Sequence, residues 1–504
     1  MRIGELIKDC VFEKILSAKD FSEQEISSIT YDSRRVIRDS LFVAIKGEVY
    51  DGNDFVKDAL DRGAKGIVFE GDPPIQNIGK DIFLMKVRDA RMALACLSHN
   101  FFGRPSEGLN VIGVTGTNGK TTTTHLIKTI LETWGRSTGL IGTISYSFMG
   151  YEYPAMHTTP EAPEFQALLK DMLINGCEYV VTEVSSHSLK QRRVDYTRFP
   201  VAVFTNLSRD HLDFHKTMED YYLSKRRLFT ELLMENGTAI INRDALAGER
   251  LISDLSLMRP DIKIITYGLT EGATVTPIRI EKTTKGSSLT VRILEGDHKR
   301  EVHIQSTLIG TPNVYNILSA LSVAISLNIP EEIIEEGFRK DTIVKGRFER
   351  IEEGQDFLCI VDYAHTPDAL ERLIITARDL SDGRVITVFG CGGNRDKGKR
   401  PIMGRIATDL SDYIIITSDN PRKEDPDAII SDITSDLTKD NYEIIPDRAI
   451  AIKKAIMMAE KGDIVLIAGK GHEDYQEIKG KRERFSDHEV CIKALKERFL
   501  SCRV

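Results

Sequence analysis

The segment Asn110-Val-Ile-Gly-Val-Thr-Gly-Thr-Asn-Gly-Lys-Thr121 decides the fold of this chain. An apolar strand comes first, a glycine turn with a lysine follows, and a helical pattern then runs to about Trp134. Between a strand and a helix, successive backbone N–H groups and the helix N-terminus can cradle phosphate oxygens. Lys120 would neutralise the terminal phosphates, and the hydroxyl of Thr121 could hold Mg²⁺. The segment therefore predicts a nucleotide-binding α/β domain, although Val114 stands where the strict phosphate-loop pattern has glycine.

Apolar strand candidates alternate with helical sequence through the rest of the chain, at 179–182, 200–204, 357–361, 385–389, 413–417 and 463–468. This alternation predicts mostly parallel sheets covered by helices on both faces. Ligands of such sheets gather at the carboxyl ends of the strands, where the polar loops of this sequence also fall. Residues 275–305 differ, because their short alternating strands predict a small antiparallel piece.

The bulk composition describes a multidomain globular protein. A chain of 504 residues is too long for one ordinary core, so roughly two to four domains are expected. Hydrophobic residues make up 41% and charged residues 29%, which excludes an intrinsically disordered chain. The formal net charge of −8 argues against a general nucleic-acid binder, which needs a basic field.

The cysteines and the apolar segments bear on the cellular compartment of the protein. The seven cysteines are scattered and none forms a CxxC pair, so we expect neither a disulfide framework nor a zinc site. The first residues lack the basic and apolar regions of a signal peptide. No apolar run approaches the about 18 residues that span a bilayer. The sequence predicts a cytoplasmic protein without membrane insertion.

Two polar segments follow buried strands and carry candidate metal ligands. Glu183 lies in the segment 182–187 and His211 in the segment 206–215, so both are expected at the same sheet edge as the phosphate loop. A carboxylate, an imidazole and the Thr121 hydroxyl suit an Mg²⁺-nucleotide site. Taken alone, His211 could equally be a capping or core histidine. By spacing alone, Lys225 would lie on a solvated basic helix face.

Together these segments resemble the Mur ligases. The resemblance covers residues 31–487 and rests on GTNGKT (116–121), EVSSH (183–187), NLSRDHLDFH (206–215), YYLSKRRLF (221–229), PNVYN (312–316), KGRFE (345–349) and DYAHTP (362–367). Within the family, the sequence is similar to the group that adds the third amino acid of the peptidoglycan stem peptide. The resemblance implies three domains: a smaller N-terminal α/β domain that binds the UDP-substrate (1–108), a central P-loop-type ATPase domain with a parallel sheet (109–341), and a C-terminal Rossmann-like domain that binds the amino acid (342–504).

The resemblance also implies a reaction. ATP phosphorylates a substrate carboxylate, and an incoming amine then displaces phosphate from the acyl phosphate. A carboxylate is a poor electrophile, so phosphorylation supplies the leaving group, and catalysis is mainly positioning and charge stabilisation. Lys225 matches a lysine that the family carries as a carbamate (N6-carboxylysine), which reverses the interpretation from spacing. Catalytic roles are implied for Lys120, Glu183, His211 and Lys225, and Mg²⁺ binding for Thr121, Glu183, His211 and carbamylated Lys225.

Further site residues are implied by matching positions. Those for ATP are Gly116, Thr117, Asn118, Gly119, Lys120, Thr121, Thr122, Asn316, Arg347 and Asp362. Those for a UDP-linked muramoyl peptide are Tyr31, Ser33, Glu48, Val49, Tyr50, His157, Thr158, Thr159, Ser185, Gln191 and Arg193, with His157 standing where the family is expected to have asparagine. The guanidinium of Arg193 has an electrostatic reason to lie near a carboxylate or diphosphate.

The segment Asp419-Asn-Pro-Arg422 follows a strand and resembles the signature of the subgroup that adds diaminopimelate. Diaminopimelate is like lysine with an extra carboxylate, which the guanidinium of Arg422 can pair bidentately. Lysine would leave that cation unpaired, at a cost of about 1–3 kcal/mol. Outside this family, an ordinary Asn-Pro turn would explain the segment. The residues implied for diaminopimelate are Arg395, Asp419, Asn420, Pro421, Arg422, Gly469 and Glu473.

Three functions remain open from the sequence. The first is a monomeric ligase that uses Mg²⁺ and ATP to add meso-diaminopimelate to UDP-N-acetylmuramoyl-L-alanyl-D-glutamate in peptidoglycan synthesis. The second is a relative that adds lysine or glutamate, including folylpolyglutamate synthetases. The third is an ATP-binding scaffold without ligase chemistry, which would bind nucleotide but show no amino-acid-dependent phosphate release. The full N-terminal domain and Arg422 favour the first.

Overall fold

The computed structural model describes residues 1–17, 20–47, 50–75, 81–283, 285–296, 298–342 and 344–501. The predicted substrate contacts Glu48 and Val49 lie outside the described residues. The chain forms three α/β units, each built around its own sheet, as expected from the alternation of apolar and helical segments.

The N-terminal unit contains a five-stranded sheet in the described residues, ordered β1-β5-β4-β3-β2, in which only the β1–β5 pair is antiparallel. Its elements are α1 (Ile3–Leu6), β1 (Lys14–Ser17), β2 (Ser28–Thr30), β3 (Ser40–Val43), α2 (Val56–Asp61), β4 (Ala64–Phe69), β5 (Phe83–Lys86) and α3 (Ala90–Phe101). The side chain of Asp89 caps α3 by accepting a hydrogen bond from the N–H of Met92. Buried Leu94 and Leu97 belong to the core that this helix shares with the sheet.

One disulfide bond corrects the expectation drawn from the cysteine spacing. Cys10 follows α1 and Cys96 lies on α3, and the two are joined across 86 residues of sequence. The two cysteines come together only when α1 packs against α3, so no local cysteine motif predicts the bond. Four of the other cysteines are free and buried in the described residues: Cys177, Cys359, Cys391 and Cys491.

The central unit contains a sheet that has eleven strands in the part of the chain that the structure describes, ordered β16-β15-β14-β13-β12-β11-β6-β10-β7-β8-β9. Its elements are β6 (Asn110–Thr115), α4 (Lys120–Thr133), β7 (Thr138–Ile141), β8 (Ser145–Phe148), β9 (Tyr151–Pro154), α5 (Ala162–Ile174), β10 (Tyr179–Glu183), α6 (Ser186–Lys190), β11 (Phe199–Phe204), α7 (Leu212–His215), α8 (Met218–Arg227), β12 (Leu233–Asn242), α9 (Leu246–Met258), β13 (Lys263–Tyr267), β14 (Val275–Thr283), β15 (Gly286–Glu295), β16 (His298–Ser306), α10 (Thr311–Ser326) and α11 (Glu331–Arg339).

The middle of this sheet is parallel and buried on both faces. Strands β13, β12, β11, β6, β10 and β7 run parallel, whereas β8–β9 and β14–β16 add antiparallel strands at the two edges. Ile112 of β6 packs towards α4 and α10, and Val111 belongs to the core on the opposite face. Each such buried Ile or Val stabilises the fold by about 1.5–3 kcal/mol. The piece predicted at 275–305 is antiparallel, but it continues the central sheet.

The C-terminal unit contains a six-stranded sheet within the described residues, ordered β17-β18-β22-β19-β20-β21, parallel except for β17. Its elements, with a separate β23–β24 hairpin, are β17 (Glu349–Arg350), β18 (Leu358–Asp362), α12 (Pro367–Arg378), β19 (Val385–Phe389), α13 (Lys399–Leu410), β20 (Tyr413–Ile416), α14 (Pro426–Thr434), β21 (Tyr442–Ile444), α15 (Arg448–Met458), β22 (Ile464–Ala468), β23 (Tyr475–Ile478), β24 (Lys481–Arg484) and α16 (Asp487–Ser501). The predicted strands match β18, β19, β20 and β22 to within one residue at each end.

The three-domain α/β architecture is confirmed. The strands of each sheet fall inside one of the three predicted domains, while the boundaries at 108 and 341 stay predictions. Among the helices of the described residues, none combines the length and the apolar character that crossing a membrane requires.

A buried ion pair holds together two loops at the carboxyl edge of the third sheet. The guanidinium of Arg448, at the start of α15, donates two hydrogen bonds of 2.7 Å to the carboxylate of Asp487. Both side chains are fully buried. Arg448 also donates to the carbonyl of Ala468 at 3.0 Å, where β22 ends. Removing one partner of such a pair leaves an uncompensated buried charge.

We expect Arg448→Met to lower the free energy of unfolding of the C-terminal domain by about 3–5 kcal/mol, because the Asp487 carboxylate is left buried and unpaired. The measurement is amide hydrogen exchange of β22 in increasing urea. Lys453→Met is the matched control, since Lys453 pairs with Glu497 at the exposed surface and its loss should cost less than about 1 kcal/mol. Equal effects of the two substitutions would contradict the prediction.

Candidate active site

Two glycines shape the phosphate loop between β6 and α4. Gly116 has φ +148° and Gly119 has φ +86°, both in the region that favours glycine. A Cβ atom at Gly116 would lie 1.8 Å from the Oγ1 of Thr205, and one at Gly119 would lie 2.5 Å from the Oδ1 of Asn316. Backbone conformation and space therefore both require glycine, and the loop can turn its N–H groups towards the start of α4.

Two lysines meet at one backbone carbonyl of this loop. The Nζ of Lys120, on α4, donates to the carbonyl of Gly116 at 2.9 Å, and the Nζ of Lys225, on α8, donates to the same oxygen at 2.7 Å. Lys225 is 1% exposed, so it does not lie on a solvated helix face. Burial, and then repulsion from Lys120, lower the pKa of Lys225 well below its usual range. Two neighbouring buried ammonium groups cannot both be stable here.

Three of the four predicted metal ligands lie on the wall of a cavity of about 600 Å³ next to the phosphate loop. Thr121 begins the first turn of α4, Glu183 ends β10, and His211 precedes α7 with φ +53°. The carboxylate of Glu183 is fully buried and accepts hydrogen bonds from the N–H and hydroxyl of Thr143 at 2.8 and 3.0 Å. Desolvation lowers the pKa of His211 to about 4, so its imidazole is neutral at pH 7.

The C-terminal domain reaches into the same cavity. The guanidinium of Arg347 donates to the hydroxyl of Thr121 at 3.3 Å, and Asn118 of the phosphate loop donates to Asp368 of α12 at 3.0 Å. The carboxylate of Asp362 accepts backbone hydrogen bonds, and burial raises its pKa. The phosphate loop and the C-terminal domain thus form one continuous wall of the cavity.

Most residues predicted for the nucleotide, the metal and the muramoyl peptide line this cavity: Thr117, Asn118, Gly119, Lys120, Thr121, Thr122, His157, Thr158, Thr159, Glu183, Ser185, Arg193, His211, Asn316, Arg347 and Asp362. Arg395, which was predicted for diaminopimelate, also lines it. Gly116 and Lys225 lie directly behind the loop. The side chain of Tyr146 accepts a hydrogen bond from the N–H of His157 and donates to its carbonyl.

The remaining predicted substrate residues lie towards the N-terminal domain. Gln191 accepts hydrogen bonds from the guanidinium of Arg193, which also pairs with Glu161 at 2.9 Å. Tyr31 is near this group, and burial raises its pKa to about 12. Ser33, which is buried, and Tyr50, which is 70% exposed, do not line the main cavity. The structure therefore does not bring these two residues together with the others.

A second cavity of about 250 Å³ opens beside the first, at the junction of the central and C-terminal domains. Six of the seven residues predicted for diaminopimelate line it: Arg395, Asp419, Asn420, Arg422, Gly469 and Glu473. The seventh, Pro421, is buried in the turn between them. Arg395 and His211 line both cavities, so a group bound in one lies next to the contents of the other.

Charges of both signs face this second cavity. The Nη1 of Arg422 donates to the carbonyl of Gly393 at 2.8 Å, and the residue has φ +55°. Burial and the neighbouring carboxylate of Asp419 raise the pKa of Glu473. The Oδ2 of Asp419 is buried and has no hydrogen-bond partner among the residues that the structure describes. The cavity is thus suited to a zwitterion with both ammonium and carboxylate groups.

Several cavity residues were not predicted from the sequence: His187, Asp210, Tyr363, His365 and Arg372. His187, Asp210, Tyr363 and His365 stand inside quoted motifs, so the same strand-end argument could have found all four. Arg372 lies in the middle of α12, and no motif marks it.

Comparison with known proteins gives three family matches along the chain. The Mur ligase family catalytic domain matches residues 25–101, the Mur ligase middle domain residues 114–324, and the Mur ligase glutamate ligase domain residues 346–471. The chain belongs to the Mur ligase family. Together the three matches cover most of this Mur ligase, and each matched segment contains most strands of one of the three sheets.

Other family members are similar in sequence to this Mur ligase over nearly its whole length. A relative from Clostridium tetani is 42% identical over 99% of this chain and 100% of its own, and one from Aquifex aeolicus is 46% identical over 93% and 94%. Both are named UDP-N-acetylmuramoyl-L-alanyl-D-glutamate--2,6-diaminopimelate ligase. A solved structure of a protein with that name has a TM-score of 0.70 at 31% identity, covering 99% of both chains.

We expect Gly119→Ala to raise the Kd for ATP at least about tenfold, because the added methyl group displaces Asn316 and turns loop N–H groups away from the phosphates. The Kd for ATP is measured by isothermal titration calorimetry. Gly135→Ala is the matched control, since Gly135 has a similar φ of +76° but no atom within 4 Å of the added Cβ. It carries the same backbone strain, so an equal loss of ATP affinity in both variants would contradict the role of Gly119.

Proposed function

We propose that this Mur ligase uses ATP to add meso-diaminopimelate to UDP-N-acetylmuramoyl-L-alanyl-D-glutamate, as its relatives' names indicate for them. The reaction forms an amide bond in the cytoplasmic part of peptidoglycan synthesis, and the enzyme acts as a monomer. The observation that carries the proposal is the junction of the two cavities. The one beside the phosphate loop suits a nucleotide, and the one beside Arg422 suits a zwitterionic amino acid.

The reaction proceeds in two displacements. A carboxylate oxygen of the D-glutamyl residue attacks the γ-phosphorus of ATP, and ADP leaves. The amine nitrogen of diaminopimelate then attacks the acyl carbon, the bond from carbon to the phosphate oxygen breaks, and the nitrogen loses its proton. Lys120 and Arg347, both near the phosphate loop, stabilise the charge on the transferring phosphoryl group. The adjacent cavities hold the amine close to the acyl carbon, which lowers the entropic part of the barrier.

The residues around the loop fit an Mg²⁺ site of the kind that takes few protein ligands. In the part of the chain that the structure describes, no three His, Cys, Asp or Glu side chains cluster as a metal site. Mg²⁺ is commonly held by one or two carboxylates together with water and substrate phosphates, and Glu183 and the carbamate of Lys225 would supply two such groups. Thr121, Glu183, His211 and the carbamate of Lys225 would hold the ion, which neutralises phosphate charge when bound.

The muramoyl peptide takes the side of the main cavity that faces the N-terminal domain. Thr158, Thr159 and Ser185 offer hydroxyl groups there, and Arg193 and Gln191 lie behind them. The uridine end would extend towards Tyr31, Ser33, Tyr50 and the segment 48–49. The ring of Tyr50 is exposed and therefore accessible to such a ligand.

Diaminopimelate is the amino acid that the second cavity suits best. Its ammonium groups would meet the carboxylates of Asp419 and Glu473, and its distal carboxylate would meet the guanidinium groups of Arg422 and Arg395. The unpartnered Oδ2 of Asp419 supports an incoming donor at that position. L-Lysine has no distal carboxylate, so it would leave Arg422 without its anion.

We expect the purified protein with Mg²⁺-ATP and the UDP-dipeptide to release phosphate with meso-diaminopimelate and not with L-lysine. In Arg422→Met, kcat/KM for diaminopimelate should fall by about tenfold to a hundredfold, because a charge-assisted bidentate contact is lost. Arg405→Met, at an exposed position of α13, is the control and should match the parent. Release with lysine would favour the lysine-adding relative, and nucleotide binding without release would favour the scaffold.

The surroundings of Lys225 support its carbamylation, which the resemblance implies. A neutral amine attacks the carbon of CO₂, and loss of a proton leaves a carbamate anion. Burial and the neighbouring Lys120 lower the pKa of Lys225, which favours the neutral amine, and next to Lys120 an anion is favoured over a second cation. The change converts repulsion between the two lysines into attraction.

We expect protein equilibrated with ¹³C-bicarbonate to show one carbamate resonance by NMR, which disappears in Lys225→Arg. Lys120→Arg is the informative comparison, because burial also lowers the pKa of Lys120. A carbamate resonance that is lost in Lys120→Arg and persists in Lys225→Arg would contradict the assignment.

A further inference from the structure

A buried lysine stands behind the amino-acid cavity without lining it. Lys470 follows β22 and its side chain is fully buried. Its Nζ donates to the Oδ1 of Asn420 at 3.2 Å, to the Oε2 of Glu473 at 3.2 Å and to the carbonyl of Tyr475 at 2.5 Å. The three acceptors come from the loop after β20, the loop after β22 and the start of β23. One ammonium group thus ties three segments together.

The contacts form a closed triangle around one carboxylate. The Nδ2 of Asn420 donates to the Oε2 of Glu473 at 2.7 Å, which is the same oxygen that Lys470 contacts. The Oδ1 of Asn420 accepts from Lys470 and from the N–H of Glu477 at 2.8 Å, so the amide cannot rotate without losing bonds. Because both contacts fall on Oε2, Oε1 of Glu473 is the oxygen left for a ligand in the cavity.

We propose that Lys470 is a positioning residue of the amino-acid site, holding Glu473 so that its carboxylate receives an ammonium group of the incoming amino acid. The inference rests on the proposed function and extends it to a residue that does not touch substrate. Lys470 fixes the orientation of Glu473 directly and through Asn420. It also supplies the positive charge that lets Glu473 stay ionised close to Asp419.

The charges around Glu473 explain why a cation is needed there. Asp419 faces it from the loop after β20, Tyr363 from the end of β18, and Tyr475 from β23. Burial and the Asp419 carboxylate raise the pKa of Glu473, and Lys470 opposes that rise. Without Lys470, Glu473 would take up a proton at a higher pH and lose the charge that attracts an ammonium group.

The test compares Lys470→Met with the parent enzyme by steady-state phosphate release. We expect the KM for meso-diaminopimelate to rise about 10- to 100-fold, while the KM values for ATP and the UDP-dipeptide stay within about twofold. The KM for meso-diaminopimelate should also rise as the pH is lowered and Glu473 takes up a proton. In Lys470→Met this rise should begin at a higher pH than in the parent enzyme. Lys454→Met is the matched control, because Lys454 pairs with Glu443 on the exposed side of the same domain.

A double-mutant cycle separates positioning from a general structural role. In a Glu473→Gln background, Lys470→Met should add little further loss, because the residue through which it acts has lost its charge. Unchanged KM for diaminopimelate, equal losses for all three substrates, or additive effects in the cycle would each overturn the inference. If Lys470→Met fails to bind Mg²⁺-ATP and so is misfolded, Lys470→Gln, which keeps a donor, replaces it under the same criteria.

The proposed function and this inference fail in different ways. A parent enzyme without diaminopimelate-dependent phosphate release would overturn the proposed function and this inference with it. A parent enzyme that releases phosphate, together with a Lys470→Met variant that has the parental KM and pH profile, would leave the function standing and overturn the role of Lys470 alone.

Discussion

The carbonyl oxygen of Gly116 accepts hydrogen bonds from two lysines, Lys120 at 2.9 Å and Lys225 at 2.7 Å, and the rest of the site is arranged around this crowding of positive charge. The carbonyl is there because β6 ends in a conformation that only glycine adopts easily. A buried pair of cations is stable only with anions nearby or with one charge removed. In the proposed function, polyphosphate would supply the anions, and a neutral or carbamylated Lys225 would remove the repulsion.

A second constraint is that the carboxyl ends of two parallel sheets face one cleft. Strands β6 and β10 deliver the phosphate loop and Glu183, while β20 and β22 deliver two loops that line the second cavity. Parallel sheets collect their functional loops at one edge, so two such sheets edge to edge produce adjoining cavities. This arrangement suits a reaction in which one substrate is activated before a second one attacks.

Buried cations behind the cleft join its loops by hydrogen bonds. Arg448 joins the ends of β20 and β22 through Ser418 and Ala468, and Lys470 joins the loop after β20 to that after β22. Each is compensated by a carboxylate, Asp487 or Glu473, so the charges cost less than isolated ones would. The shape of the second cavity therefore depends on residues that do not line it.

The sequence by itself determined the α/β class, the parallel strands and the phosphate loop, because side-chain periodicity and glycine requirements are local properties. The motifs also indicated which polar loops carry the site, including Asp419 to Arg422. Only the tertiary structure decided that Lys225 is buried, that Cys10 meets Cys96 and that Lys470 contacts Glu473 and Asn420. Helical spacing had placed Lys225 in solvent, because spacing describes one helix and not what packs against it. Burial and pairing arise from contacts between residues far apart in the chain, and these become fixed only when the sheets and helices pack together.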